Sequence, residues 1–98
     1  MKIEKKLNET ALEVALSGRL DTLTAPELEK ALTESLSGVS ELTLDFENLD
    51  YISSAGLRVL LSAQKLMSKQ GGMKLVHVNE TIMEIFEVTG FSDILTIE

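Results

Sequence analysis

The sequence contains no cysteine and no tryptophan, and it has a single proline and a single histidine. Without cysteine there is neither a disulfide nor a thiolate metal site, and one histidine is too few for an all-protein transition-metal centre, so no metal is expected. Aromatic residues make up 4% of the chain, which leaves little for the stacking platforms used by single-stranded nucleic acids. Long apolar runs are also missing. The opening Met1-Lys2-Ile3-Glu4-Lys5-Lys6 leads into no apolar segment, so neither a secretion signal nor a membrane-inserting helix is expected, and a cytoplasmic location is the simplest inference. Positive charge is scarce as well: nine Lys and Arg against sixteen Asp and Glu leave a net charge of -7. The basic residues are dispersed along the chain, which argues against direct contact with nucleic acid or an anionic membrane surface. A basic protein surface would be attracted.

What is present is enough for one core. At 98 residues and 44% hydrophobic, the chain can bury roughly 60 to 70% of its unfolded surface, and a single domain over residues 1–98 is the expectation. Ile3 to Leu7 and Ala11 to Leu16 read as two strands, the second with Leu12, Val14 and Leu16 alternating against Glu13 and Ala15, and Asn8-Glu9 suits a hairpin turn between them. Lys5-Lys6 marks the first strand as a solvent-facing edge. A polar loop over Gly18 to Thr24 follows. Thr24-Ala25-Pro26-Glu27 then matches a capping box with proline in the first turn, opening a helix with Leu28, Ala31, Leu32 and Leu36 on one face and Gly38 as terminator.

Glu41 to Phe46 reads as a short strand, carried by Glu47-Asn48-Leu49-Asp50 to the stretch Tyr51-Ile52-Ser53-Ser54-Ala55-Gly56-Leu57. There a strand ends, two hydroxyls stand side by side and a helix begins. That helix runs from Ser54 to Gln70 and is stopped by Gly71-Gly72. At about 100° per residue, Gly56, Val59, Leu60, Ala63, Leu66 and Met67 form its inward face, with Arg58, Ser62, Lys65 and Lys69 opposite. Leu57 and Leu61 fall on a flank and are expected to be partly exposed, a stacked apolar pair suited either to a partner or to packing under a neighbouring loop or helix. Met73 to Val78 is the next strand, with His77 on its surface. Asn79 caps a helix from Glu80 to Thr89 carrying Ile82, Met83, Ile85 and Phe86, Gly90 is a left-handed C-cap, and Ile94 to Ile97 forms a last strand or covers the sheet. Strands alternating with amphipathic helices imply an α/β fold: a mixed, mostly parallel sheet with an antiparallel hairpin at its N-terminal end. The Gly18–Thr24 and Asn48–Ser54 loops both follow strands, so Asp21 and Thr22 should lie near Ser53 and Ser54.

Catalytic constellations do not assemble from these residues. A Ser-His-Asp site would need His77, which sits alone in a strand, and Gly-x-Ser-x-Gly, Walker and Gly-x-Gly-x-x-Gly motifs are absent. Asp45 and Asp50 resemble a receiver-type acidic pair only weakly. No enzyme activity and no cofactor are expected. A serine at a helix start has two readings: its hydroxyl caps the helix, or it faces outward to a kinase, because the positive end of the helix dipole tolerates a phosphate.

Gly18-Arg19-Leu20-Asp21, Thr24-Ala25-Pro26-Glu27-Leu28 and Leu49-Asp50-Tyr51-Ile52-Ser53-Ser54-Ala55-Gly56-Leu57-Arg58-Val59-Leu60 together resemble the STAS-domain anti-sigma-factor antagonists, over essentially the whole chain. The resemblance implies a partner-switching protein. Its partner would be an anti-sigma factor that is also a serine kinase of the GHKL type, released when that kinase phosphorylates the antagonist and recovered through a PP2C-type phosphatase. It places the phosphoserine on Ser54 and the loop aspartate on Asp21. The partner-binding residues then expected are Asp21, Thr22, Ser53, Ser54, Gly56, Leu57, Arg58 and Leu61. This chain departs from familiar members in having Ser53 before the phosphosite and Ala55 after it, and a C-terminal helix common in that family is expected to be short or missing. The same resemblance carries an alternative: a non-switching STAS adaptor subunit of a lipid-transport ABC complex or another transporter.

Overall fold

The computed structural model describes residues Met1–Glu98. Alternation builds its sheet. The hairpin pairs β1 (Lys2–Asn8) antiparallel with β2 (Ala11–Leu20), and the turn falls on Glu9-Thr10, one residue later than expected, with Glu9 in the left-handed region at φ 59°. Strand β3 (Glu41–Ile52) pairs parallel with β2, and β4 (Gly72–Val76) pairs parallel with β3, giving the order β1-β2-β3-β4. Leu12, Val14, Leu16, Leu42, Leu44, Phe46, Met73 and Leu75 all point to one buried face. Residues alternating with them, including Glu13, Thr43, Asp45 and Lys74, look out from the other face and are exposed or half-buried.

Three helices close the buried face. α1 (Ala25–Ser35) joins β2 to β3, α2 (Ser54–Gln70) joins β3 to β4, and α3 (Glu80–Thr89) follows β4, ending in a 3-10 turn over Phe91–Asp93. α1 buries Leu28 and Leu32, with Leu36 buried just beyond it. From α3 come Ile82 and Phe86, the latter with its ring 6.4 Å from that of Phe46. Gly90 takes the left-handed C-cap at φ 82°, a conformation glycine adopts without steric cost. No final strand forms. A single parallel bridge, Leu75 to Ile97, lays the last residues along the edge of β4. No helix is long and apolar enough to cross a membrane.

Two strands run further than the sequence pattern indicated. β2 continues through Gly18-Arg19-Leu20, shrinking the expected polar loop to four residues, Asp21 to Thr24. β3 continues through Glu47 to Ile52 because it carries two bulges: Ala15 pairs with Asp45 but Ser17 with Asn48, and Gly18 pairs with Leu49 but Arg19 with Tyr51. Each bulge inserts one extra residue on β3. The inward positions Phe46, Leu49 and Ile52 are therefore spaced by three instead of two, and a period-2 reading loses the strand after Phe46.

Candidate functional site

The site lies where β2 and β3 end side by side. Leu20 pairs with Ile52, and the Ser53 amide donates to the Leu20 carbonyl at 2.8 Å, so the two strand-to-helix segments leave the sheet together. Thr22 lines one small cleft with Ala55 and Arg58, which brings the Asp21 loop beside the α2 N-terminus as expected.

Ser53 is the N-cap of α2. Its backbone is extended (φ -101°, ψ 176°), its carbonyl accepts from the Leu57 amide at 2.9 Å, and its Oγ accepts from the Gly56 amide across a long 3.5 Å. Ser54 is the first residue of the helix proper; it is exposed and its hydroxyl has no hydrogen-bond partner in the protein. The amides of Ser54 and Ala55 are likewise unpaired, as first-turn amides are. Gly56 has to be glycine. A Cβ built there would come within 2.6 Å of Leu20 Cγ and 2.8 Å of Ile52 Cγ1, so its absence lets α2 start directly on the strand ends.

The expected capping box at Thr24 does not form. Thr24 has helical torsions and makes no side-chain cap; its Oγ1 instead donates to the Arg19 carbonyl at 2.7 Å and accepts from the Asp21 amide at 2.8 Å. Asp21 organises the turn. Its Oδ1 accepts from the amides of Leu23 at 3.0 Å and Thr24 at 3.1 Å, and its carbonyl accepts from Ala25 at 2.8 Å. The Thr24 amide, helped by Leu23, the Thr24 hydroxyl and the Arg19 guanidinium 3.8 Å away, holds the Asp21 carboxyl below the usual carboxylate range despite some desolvation. Arg19 also stacks over Tyr51, 4.5 Å from the ring centroid, tying β2 to β3 just before the site.

Leu57 does not stand out from the helix as expected. It is 7% exposed and belongs to the core, while Leu66, assigned to the inward face, is 42% exposed. The wedge between α1 and α2 accounts for Leu66, which lines an open groove with Glu29, Leu32 and Thr33, so the buried arc of α2 is rotated away from α1 and toward Leu57. Gly56 is buried too, Leu61 is half-buried, and Thr22, Ser54 and Arg58 are exposed. Leu23 was missed by pattern reading. Held on the Asp21 turn, it is 85% exposed beside the site, and only its apolar character inside a polar loop signalled it.

A second cluster lies elsewhere, on the open sheet face. His77 is not inside a strand as expected; it follows β4 with φ 58° and its Nδ1 is 2.9 Å from Asp45 Oδ1. Burial raises the Asp45 carboxyl, but the Glu47 amide at 3.0 Å and His77 outweigh it and lower it, while Asp45 raises the His77 imidazole. With Glu47, these are the three side chains whose geometry would suit a cation. No serine hydroxyl bonds to His77, so the cluster is not a nucleophilic triad.

Comparison with known proteins bears on the whole chain. The family model described as STAS domain matches residues 2–98. A protein of Bacillus subtilis named anti-sigma-B factor antagonist is 31% identical, the alignment covering 97% of this chain and 88% of that one. Among solved structures, an anti-sigma factor antagonist from Mycobacterium paratuberculosis superposes with a TM-score of 0.88 at 22% identity, over 98% of this chain and 83% of the other. The Bacillus cell fate determinant SpoIIAA, in its phosphorylated form, superposes with a TM-score of 0.76 at 16% identity, over 99% and 91%. At those identities the two structures speak for the fold alone.

Proposed function

The chain belongs to the STAS-domain family, and we propose that it is an anti-sigma-factor antagonist, a binding protein and not an enzyme, switched off by phosphorylation of Ser54. The observation that carries this reading is the division of labour between adjacent serines: Ser53 caps α2, whereas Ser54 presents a free hydroxyl to solvent. The relative named anti-sigma-B factor antagonist supports the regulatory class. The partner is an anti-sigma factor of the GHKL serine-kinase type, and a PP2C-type phosphatase resets the protein. In the forward step Ser54 Oγ bonds to the γ-phosphorus of ATP, the bridging P–O bond breaks to release ADP, and the hydroxyl proton is lost to solvent. Hydrolysis of the phosphoester restores serine and inorganic phosphate.

The surface that meets the partner consists of Asp21, Thr22, Leu23, Ser53, Ser54, Arg58 and the half-buried Leu61. Gly56 and Leu57 act from beneath it, one admitting the strand ends and the other anchoring the first turn of α2 in the core. A phosphoserine brings about -1.5 to -2 charges at neutral pH. The α2 N-terminus tolerates that charge locally. In a packed interface beside the ionised Asp21 it is repulsive and has to be desolvated, and each ~1.4 kcal/mol lowers affinity tenfold.

Incubation with the cognate kinase and ATP, followed by mass spectrometry, tests the site. Phosphate is expected on Ser54 and none on the Ser54→Ala variant. Phosphate on Ser53 in the wild type would reject the assignment, and a pull-down that recovers a transporter ATPase subunit in place of a kinase would favour the adaptor alternative.

A further inference from the structure

Ser54 has one cation within reach of a phosphate on its own helix. Arg58 lies one turn on, and residues four apart on a helix are neighbours, with Cβ atoms about 5–6 Å apart. Arg58 is exposed, and unlike Arg19, Lys30 and Lys74 it takes part in no ion pair. It lines the cleft between α1 and α2 together with Thr22, Ala55, Pro26 and Glu29. The other charges around this corner are committed or further away. Asp21 is held by the amides of Leu23 and Thr24, and Arg19 by Asp21 and Tyr51. Asp50 is exposed within β3, Lys65 lies two turns beyond Arg58, and Glu29 is the one acid that shares the cleft with it.

Resting on the reading of Ser54 as the modified residue, we propose that Arg58 is the intramolecular counter-ion of the phosphate. When Ser54 is phosphorylated, the guanidinium leaves the α1–α2 cleft and pairs with the phosphate oxygens, while the unpaired amides of Ser54 and Ala55 approach them from the helix end. The surface then changes twice in one event: an anion appears at Ser54, and a cation is withdrawn from the cleft beside Thr22. A guanidinium fits this task better than an ammonium because its planar fork donates two parallel N–H bonds to one phosphate.

The phosphate's own titration reads the contact. Phosphoserine is installed at position 54 during translation, so that no kinase is required, and its second ionisation is followed by phosphorus NMR in the full chain. The wild-type phosphate is expected to ionise roughly 0.2 to 0.4 pH unit below that of Arg58→Gln, the size of an i,i+4 charge pair. Arg58→Lys should restore part of the shift, and Glu29→Gln, which frees Arg58 from its one competitor, should preserve or deepen it. Superimposable titrations for wild type and Arg58→Gln would overturn the proposal. The partner-switch reading fails separately, if the unmodified protein binds no serine kinase, and that result leaves the titration comparison intact.

Discussion

Two neighbouring serines with the same side chain have opposite surroundings. Ser53 Oγ accepts from the Gly56 amide, and the Ser54 hydroxyl has no partner in the protein. Because the Ser53 bond is long, Ser53→Ala should lower unfolding free energy by about 0.5–1 kcal/mol, the low end for a cap, and Ser54→Ala should leave it within about 0.5 kcal/mol; urea titration measures both. His77 and Asp45 make a pH-dependent contribution on the opposite sheet face. Asp45 raises the imidazole above its ordinary 6.5, so this stabilisation is fully present below pH 6.5 and is lost as pH rises through the higher folded value. The lowered Asp45 carboxyl acts in the other direction: its contribution is present above pH 3.8 and disappears as pH falls through the folded value. Thermal midpoints recorded from pH 3 to 9 should show both limbs in the wild type, and His77→Gln should flatten the alkaline one.

At the scale of elements, α2 is seated by one missing side chain. Gly56→Ala would push a methyl into Leu20 and Ile52 and is expected to cost about 1–3 kcal/mol, although alanine is the better helix former. α3 is held at both levels: Asn79 Oδ1 accepts from the Ile82 amide at 2.8 Å, and its Nδ2 donates to the Leu49 carbonyl at 3.0 Å. Asn79→Ala should therefore lose about 1–2 kcal/mol and speed amide exchange in α3 before the rest of the molecule. These elements also show what the sequence can and cannot disclose. The α2 span, the Asn79 cap and the Gly90 C-cap are local chemistry, written in adjacent residues, and all three occur as read. The second half of β3 is not local. Remove Glu47 and Asp50 from the string, and Leu42, Leu44, Phe46, Leu49 and Ile52 alternate without a break; the bulges that insert two residues are visible only against β2. Leu57 and Leu66 were exchanged for a similar reason, since the centre of a helix's buried arc is set by its neighbours. The Thr24 cap failed because Asp21, three residues earlier, offers the turn amides an ionised acceptor.

For the whole molecule, stability and switching are expected to be separable. A phosphate on Ser54 sits at a helix N-terminus outside the core, so the phosphoprotein should unfold within about 1 kcal/mol of the unmodified one, a shift of roughly 4–8 °C at most. Binding to the kinase should fall by orders of magnitude under the same conditions. Calorimetric melting and titration of the same two samples measure the pair. A large loss of stability on phosphorylation would mean that the switch works by unfolding. The Asp21, Ser53 and Ser54 corner was legible in the sequence because both of its loops follow strands; Leu23 was not, because no periodicity marks a turn residue.

The bridge from Leu75 to Ile97 occupies the outer side of β4, where Leu75 bonds to Thr96 and Glu98, and β1 at the other border pairs only inward. The sheet thus has one border, β1, open along its whole length and another, β4, capped at Leu75. Strand-to-strand addition needs two open borders, one to receive and one to offer, if it is to continue from molecule to molecule. Copies of this protein that met along β1 would close as a two-fold pair, and any growth beyond that pair would have to displace or bypass the bridge at Leu75.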